Sequence, residues 1–208
     1  MNGQEQVRAN VSCETFEKLD RFAERVRKWS QKVNLISPAS VSDIWTRHIW
    51  DSFQITTCAT MRGHWVDVGS GGGFPGLVVA IVASETAPNL RITLCESQQR
   101  KADFLRIVAQ ELAPNVVICA DRVENQAPFE ADILSVRALA GLSSLLFIVN
   151  RHLAPSGTAL LMKGGKWQQE VAAARRLWHF DCEPIPSQTD SSAAILRVQG
   201  VRRDRIHD

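Results

Sequence analysis

His64-Trp65-Val66-Asp67-Val68-Gly69-Ser70-Gly71-Gly72-Gly73-Phe74-Pro75-Gly76-Leu77 is the stretch that decides the fold. A short β-branched run enters a loop that holds five of the chain's 12 glycines. The apolar segment 77–83 follows at once. That order predicts a strand, a glycine loop and a helix. Glycine permits positive φ in a tight turn, and it removes the Cβ that would keep a ligand off the main chain. A helix beginning near Phe74 aims its free N–H groups back at the loop and favours a polar or anionic ligand group there. Pro75 suits a first helical turn, where its missing donor costs nothing.

Two cofactor patterns overlap in this loop. Gly71-Gly72-Gly73-Phe74-Pro75-Gly76 reads as G-x-G-x-x-G, the dinucleotide fingerprint. Asp67, Gly69 and Gly71 read as D-x-G-x-G, which resembles the first motif of Rossmann-like methyltransferases that use S-adenosylmethionine. A glycine-rich turn without a ligand is the bland alternative. A strand before the loop and a helix after it argue against that alternative. On this stretch alone both cofactor readings stay open.

Outward from the loop, strands and helices alternate. Strand 65–68 leads to helix 74–83, and strand 91–95 to helix 98–112. Strand 116–119 leads to an irregular segment, and strand 132–136 to helix 139–150. Pro155-Ser156-Gly157 makes a turn into strand 158–162, and Gly164-Gly165 leads into helix 166–178. Two late β-like runs, 182–185 and 194–198, have only a short connection. The pattern predicts an α/β fold: a seven-stranded, mostly parallel sheet covered on both faces, with an antiparallel hairpin at one edge. Upstream, Ser12 is placed to cap a helix with Glu14 in its first turn. Phe16, Leu19, Phe22, Ala23, Val26, Trp29 and Val33 recur there at helical spacing. Pro38 ends that pattern. Ser40 or Ser42 starts a second helix with Val41, Ile44, Trp45, Ile49 and Phe53 on one face. Residues 1–11 read as polar and frayed, and the tail Arg202-Arg203-Asp204-Arg205 as mobile. The expected division is an N-terminal helical cap, 1–60, on a Rossmann-like domain, 61–208, together forming one compact unit.

Composition excludes several classes. A net charge of +2 and a pI near 8.4 are too mild to argue nucleic-acid binding by themselves. Only six of the 24 basic residues are Lys, and arginine suits phosphate and base stacking. No apolar run approaches the roughly 18 residues of a membrane span. The N-terminus has no basic segment followed by an apolar core, so a signal peptide is not expected and a cytoplasmic protein is. The five cysteines, at 13, 58, 95, 119 and 182, never take C-x-x-C spacing and read as small buried hydrophobes. The histidines at 48, 64, 152, 179 and 207 form no ligand spacing, so no metal is expected. G-x-S-x-G is absent, which removes a hydrolase elbow. No Pro-Pro loop for methylating an exocyclic amine occurs, and no cysteine stands in a loop context suited to attack on a pyrimidine carbon.

In a doubly wound sheet the ligand lies at the carboxyl ends of the strands. After the first strand comes the glycine loop, with Gly69 and Gly71. After the second comes Glu96, where an acid accepts hydrogen bonds from ribose hydroxyls; capping of the following helix is its bland alternative. After the third come Asp121, Arg122, Val123 and Glu124, where an adenine ring would be edged. After the fourth comes Arg137, over the reactive centre, with a structural salt bridge as its alternative.

The chain resembles the RsmG (GidB) family of bacterial 16S rRNA guanine-N7 methyltransferases. The resemblance runs from Lys28-Trp29-Ser30-Gln31-Lys32-Val33-Asn34-Leu35 through Arg47-His48-Ile49-Trp50-Asp51-Ser52-Phe53 to the loop Asp67–Gly76. It continues with Glu96-Ser97, Arg100-Lys101, Phe104-Leu105, Arg122-Val123-Glu124, Ser135-Val136-Arg137-Ala138 and Met162-Lys163-Gly164-Gly165. Ser30 and Phe53 depart from the commoner asparagine and leucine. The resemblance implies a class I methyltransferase fold, S-adenosylmethionine as cofactor, and cofactor contacts on Gly69, Phe74, Val123, Glu124 and Arg137. It implies 7-methylguanosine as product, in small-subunit rRNA near the decoding region.

That chemistry suits the missing motifs. Guanine N7 carries a free lone pair, so no general base, metal or covalent intermediate is required. Arg137 is therefore assigned to positioning and not to proton transfer. Arg47, His48, Lys163, Lys166 and the basic face of the first helix are the candidates for holding RNA, as 16S rRNA or a small-subunit assembly particle. A monomer is expected. A nicotinamide-dependent oxidoreductase and a non-catalytic Rossmann-like binding module are the competing functions.

Overall fold

The computed structural model describes residues 2–203. α1 (Gly3–Arg8) and α2 (Cys13–Ser30) come first. A 3₁₀ turn at Pro38–Ser40 and a π-helical turn at Trp45–Trp50 follow. The latter runs into α3 (Asp51–Phe53) and a further 3₁₀ turn, Gln54–Thr57. Then come β1 (His64–Val68), α4 (Gly76–Thr86), β2 (Arg91–Cys95), α5 (Gln99–Leu112) and β3 (Val116–Cys119). After a 3₁₀ turn at Val123–Asn125 come β4 (Ala131–Arg137), α6 (Leu142–His152), β5 (Leu153–Lys163), α7 (Trp167–Ala174), β6 (Trp178–Pro186) and β7 (Ala194–Arg203).

These seven strands form one sheet in the order β3-β2-β1-β4-β5-β7-β6. The first five run parallel, and β7 pairs antiparallel with both β5 and β6. The chain winds outward from β1 to β3, then returns to start the other half at β4. The crevice at the carboxyl ends of β1 and β4 is therefore the switch point, where such sheets bind ligands.

The two sheet faces bury different sets. Trp65, Ile133 and Leu160 point into a core shared with α4, α5 and the N-terminal helices. Val66, Leu134 and Val136 point into a second core with α6, α7 and Trp178. α4 has apolar residues all around, and eight of them are buried, as expected of a helix covered on every side. Sheet covers one side, and α2 covers another with Leu19, Phe22, Ala23 and Val26. The core thus runs without a break from Val7 to Leu112.

Several local expectations are corrected. Residues 3–8 are helical: Asn2 and Glu5 form a reciprocal capping box, and Val7 is fully buried. The second N-terminal helix is not one regular α-helix but π, α and 3₁₀ turns in succession. α4 starts at Gly76, not Phe74, after a cis Phe74–Pro75 peptide bond. Pro155–Gly157 lies inside β5, where a Cβ on Gly157 would come within 2.6 Å of the Ala131 carbonyl oxygen. The last helix stops at Ala174, because Trp178 belongs to β6 and packs edge-on against Phe147. Arg202 and Arg203 belong to β7 and pair with His179 and Trp178 of β6, while Asp204 and Arg205 lie outside the described residues. Cys13 is exposed and Cys119 and Cys182 are half-buried, so only Cys58 and Cys95 are the buried thiols expected.

Candidate active site

The glycine loop is fastened on one side. Gly69 and Ser70 donate their N–H groups to the Cys95 carbonyl at 2.9 and 3.0 Å. Glu96, buried at the end of β2, accepts from the Gly71 N–H and the Gln98 N–H, each at 2.8 Å. One carboxylate thus ties the loop to the start of α5. Its oxygens keep further lone pairs that can accept a hydroxyl. Gly69, Gly71 and Gly73 sit at φ of +70°, +56° and +93°, where a side chain is strained. Gly71 differs from its neighbours: a Cβ there would meet only the Gly69 carbonyl oxygen, at 3.8 Å. Its outer side is open backbone, which fits a ligand that must approach the main chain. Gly72 and Gly73 instead press against Leu35, Leu77 and Phe22.

Beneath the loop lies a buried polar chain that the motif alone did not explain. Trp65 Nε1 donates to Ser135 Oγ at 2.9 Å, and Ser135 Oγ donates to Asp67 Oδ1 at 2.6 Å. Asp67 Oδ2 accepts from the Gly76 N–H at 3.2 Å, at the first residue of α4. Asp67 and Ser135 face each other in the β1–β4 register. Asp67 is fully buried, and burial pushes its carboxyl up to about 6 against the hydrogen bonds from Ser135 and Gly76, which favour the charge. Its part is to lock strand, loop and helix together.

Arg137 ends β4 and reaches into the N-terminal helices. Its guanidinium donates to His48 Nδ1 at 2.9 Å and to Asp51 Oδ2 and the Arg47 carbonyl at 3.3 Å. It also lies over the Phe74 ring at 5.2 Å, and the His48 ring packs on the same phenylalanine at 5.0 Å. Because His48 Nδ1 accepts, Nε2 carries the proton and donates to Ser40 Oγ at 2.8 Å. Burial and the Arg137 and Arg47 charges push His48 down to about 3, so the ring is neutral. The salt bridge weighed for Arg137 is real, and its partner is Asp51.

A cleft of about 1040 Å³ opens beside Arg137. Arg47, Asp51, Arg137, Lys163, Lys166 and Thr189 line parts of it. Arg47 and Lys166 are exposed. Lys163 is not: its side chain is 10% exposed and is bonded to Glu170 and the Ala140 carbonyl. Val123 is buried and Glu124 exposed in the turn after β3, which Asp121 stabilises through Arg122, Asn125 and Gln126. Among the described residues no cluster of His, Cys, Asp and Glu could hold a metal, and no helix is long and apolar enough to cross a membrane.

The family described as GidB, rRNA small subunit methyltransferase G, matches residues 15–193. The chain belongs to this family. A relative from Ruegeria sp. (strain TM1040), named ribosomal RNA small subunit methyltransferase G, is 46% identical over 97% of this chain and 98% of its own length. A relative of the same name from Cereibacter sphaeroides is 48% identical over 92% of this chain and 93% of its own. Among solved structures, a SAM-dependent methyltransferase from Aquifex aeolicus superposes with a TM-score of 0.58 at 10% identity, over 85% of this chain and 97% of that one. A TehB-like SAM-dependent methyltransferase from Corynebacterium glutamicum gives 0.57 at 14% identity, over 86% and 96%. These likenesses show a class I, Rossmann-like methyltransferase fold. The oxidoreductase reading finds no such support.

For this GidB member, the fold brings Phe74, His48, Arg137 and the Arg47 main chain into one contact group, and Gly69, Gly71 and Glu96 into another. Sequence reasoning quoted Asp51 and Ser135 within motifs but gave them no role, and it missed Glu170. His48 and Asp51 stand three apart in the chain and both bond Arg137, so their shared face had a local signal. Ser135 stood in a motif of the resemblance, but neither it nor Glu170 had a local signal for its partner, which lies 68 and 28 residues away.

Proposed function

We propose that this chain methylates N7 of a guanine in 16S rRNA, with S-adenosylmethionine as methyl donor. The carrying observation is the family match over residues 15–193, which spans the glycine loop, Arg137 and most of the cleft. When bound, the cofactor supplies a methyl group on a sulfonium. Gly69, Gly71, Phe74, Glu96, Val123, Glu124 and Arg137 are assigned to hold it, with the open backbone at Gly71 as the fit. Residues 1–60 serve as a cap that closes the site against residues 61–208.

The guanine N7 lone pair forms the new N–C bond as the C–S bond breaks and its electron pair stays on sulfur. No proton leaves the base in that step. The protein's work is orientation, which supplies up to about 7–11 kcal/mol of barrier reduction. Arg137, fixed on four sides, is the positioning group. Asp51, on the same cleft wall, balances cationic charge there.

Arg47 and Lys166 are the exposed cations that suit phosphate. An unpaired or splayed guanine is the substrate class such a cleft suits. The partner is 16S rRNA or a small-subunit assembly particle, and the protein acts as a cytoplasmic monomer. The test is mass mapping of modified nucleotides in small-subunit rRNA with and without the protein. One 7-methylguanosine should appear with it. Methyl on another atom, or none, refutes the reading.

A further inference from the structure

The β4–α6 connection is strained and exposed, yet it is held in one place. Ala138 sits at φ +52°, a left-handed conformation unusual for alanine. The turn brings Leu139 onto the cofactor loop: a Cβ on Gly69 would stand 2.9 Å from Leu139 Cδ1. Leu139 itself is 46% exposed, so burial alone does not hold it. A strained backbone persists only where its surroundings over-determine it. Here two side chains do so. Lys163 Nζ donates to the Ala140 carbonyl at 2.9 Å. Glu170 Oε2 accepts from the Leu142 N–H at 2.7 Å and lies 2.8 Å from Lys163 Nζ. β5 and α7 thus grip the chain just after Leu139, at Ala140 and Leu142, while β4 holds the side before it.

We infer that residues 138–141 form a cover over the glycine loop, and that the Lys163–Glu170 pair anchors it. Lys163 is then a positioning residue for cofactor retention and not a phosphate contact. The inference rests on the cofactor assignment above. An RNA phosphate would have to strip Lys163 from two partners in a place where its side chain is almost covered. A closed cover slows release and keeps water from the reacting atoms.

The experiment measures S-adenosylhomocysteine binding and dissociation for wild type, Lys163→Met, Lys163→Arg and Glu170→Gln, with circular dichroism as a fold check. Glu170→Gln retains an acceptor for Leu142 but removes the charge that faces Lys163. Lys163→Met and Glu170→Gln should each weaken binding about tenfold, mainly through faster dissociation. Lys163→Arg should restore most of it. Amide exchange over 138–141 should quicken, and the double variant should bind no worse than the weaker single. The salt dependence of RNA binding should not change, which a phosphate contact could not survive. Unchanged S-adenosylhomocysteine affinity in Lys163→Met, with a salt slope lowered by about one, overturns the inference. Should Lys163→Met fail to fold, unchanged affinity and exchange in Glu170→Gln overturn it equally. Wild type that binds no S-adenosylhomocysteine removes the cofactor assignment itself, a separate failure.

Discussion

Replacing Ser135 with alanine tests the polar chain under the glycine loop. The hydroxyl is fully buried and serves two partners, Trp65 Nε1 and Asp67 Oδ1. Its removal leaves an indole N–H unpaired, at about 1–3 kcal/mol, and takes one hydrogen bond from a buried carboxylate, at about 1.5–3 kcal/mol. At pH 8 the loss should total about 2.5–6 kcal/mol. The second part depends on pH. Burial raises Asp67 in the folded protein from 3.8 to about 6. Stability gained from its protonation is therefore complete below about 4 and is lost as pH rises through about 6. Ser135→Ala removes a bond that favours the charge, so the variant's Asp67 lies higher still, and its penalty is largest in alkali. Urea unfolding followed by tryptophan fluorescence at pH 8 and pH 5 measures both terms. At pH 5 the loss should shrink to about 1–3 kcal/mol, the indole's share. Equal losses at the two pH values, or less than about 1 kcal/mol at pH 8, would refute the assignment of the carboxylate.

Arg137→Lys should lower kcat/KM about a hundredfold, because a point charge cannot meet His48, Asp51 and the Arg47 carbonyl at once while lying on Phe74. Steady-state kinetics on small-subunit rRNA reads it, and near-normal turnover would discard the positioning role. Gly76→Ala should cost about 1–3 kcal/mol or more in a thermal melt, since its Cβ would lie 2.6 Å from Asp67 Oδ2. Gly71→Ala, with open space beside it, should fold with only about 1–2 kcal/mol of left-handed strain and yet lose S-adenosylhomocysteine in calorimetry. Retained binding there would show that the ligand does not approach Gly71. RNA affinity should fall steeply with salt, and Arg47→Ala and Lys166→Ala should each lower the log–log slope by about one. A flat salt response for wild type would remove the basic contacts.

The centre of the sheet was legible because its strands are short, largely buried runs closed by a turn or helix signal, as in Trp65–Val68 and Arg91–Cys95. α2 was legible from its apolar stripe and from Ser12, whose side chain does cap it. Elements without periodicity were not. α1 hides in a polar stretch because its capping box, not a hydrophobic face, announces it. The Trp45–Thr57 turns follow the helical pattern of apolar residues while their backbone departs from α geometry.

What the chain's order of residues determined is the alternation of strand, glycine loop and helix, and with it the crevice at the carboxyl ends of β1 and β4, where sheets of this kind bind ligands. Those signals are local: spacing, glycine and β-branching act within a few residues. Only the tertiary structure decided how the crevice is braced. Asp51 meets Arg137 across 86 residues, Ser135 meets Asp67 across 68, and Glu170 meets Leu142 across 28. Such pairs leave no periodic trace, because a buried polar group needs one partner in space and sets no condition on where along the chain that partner lies.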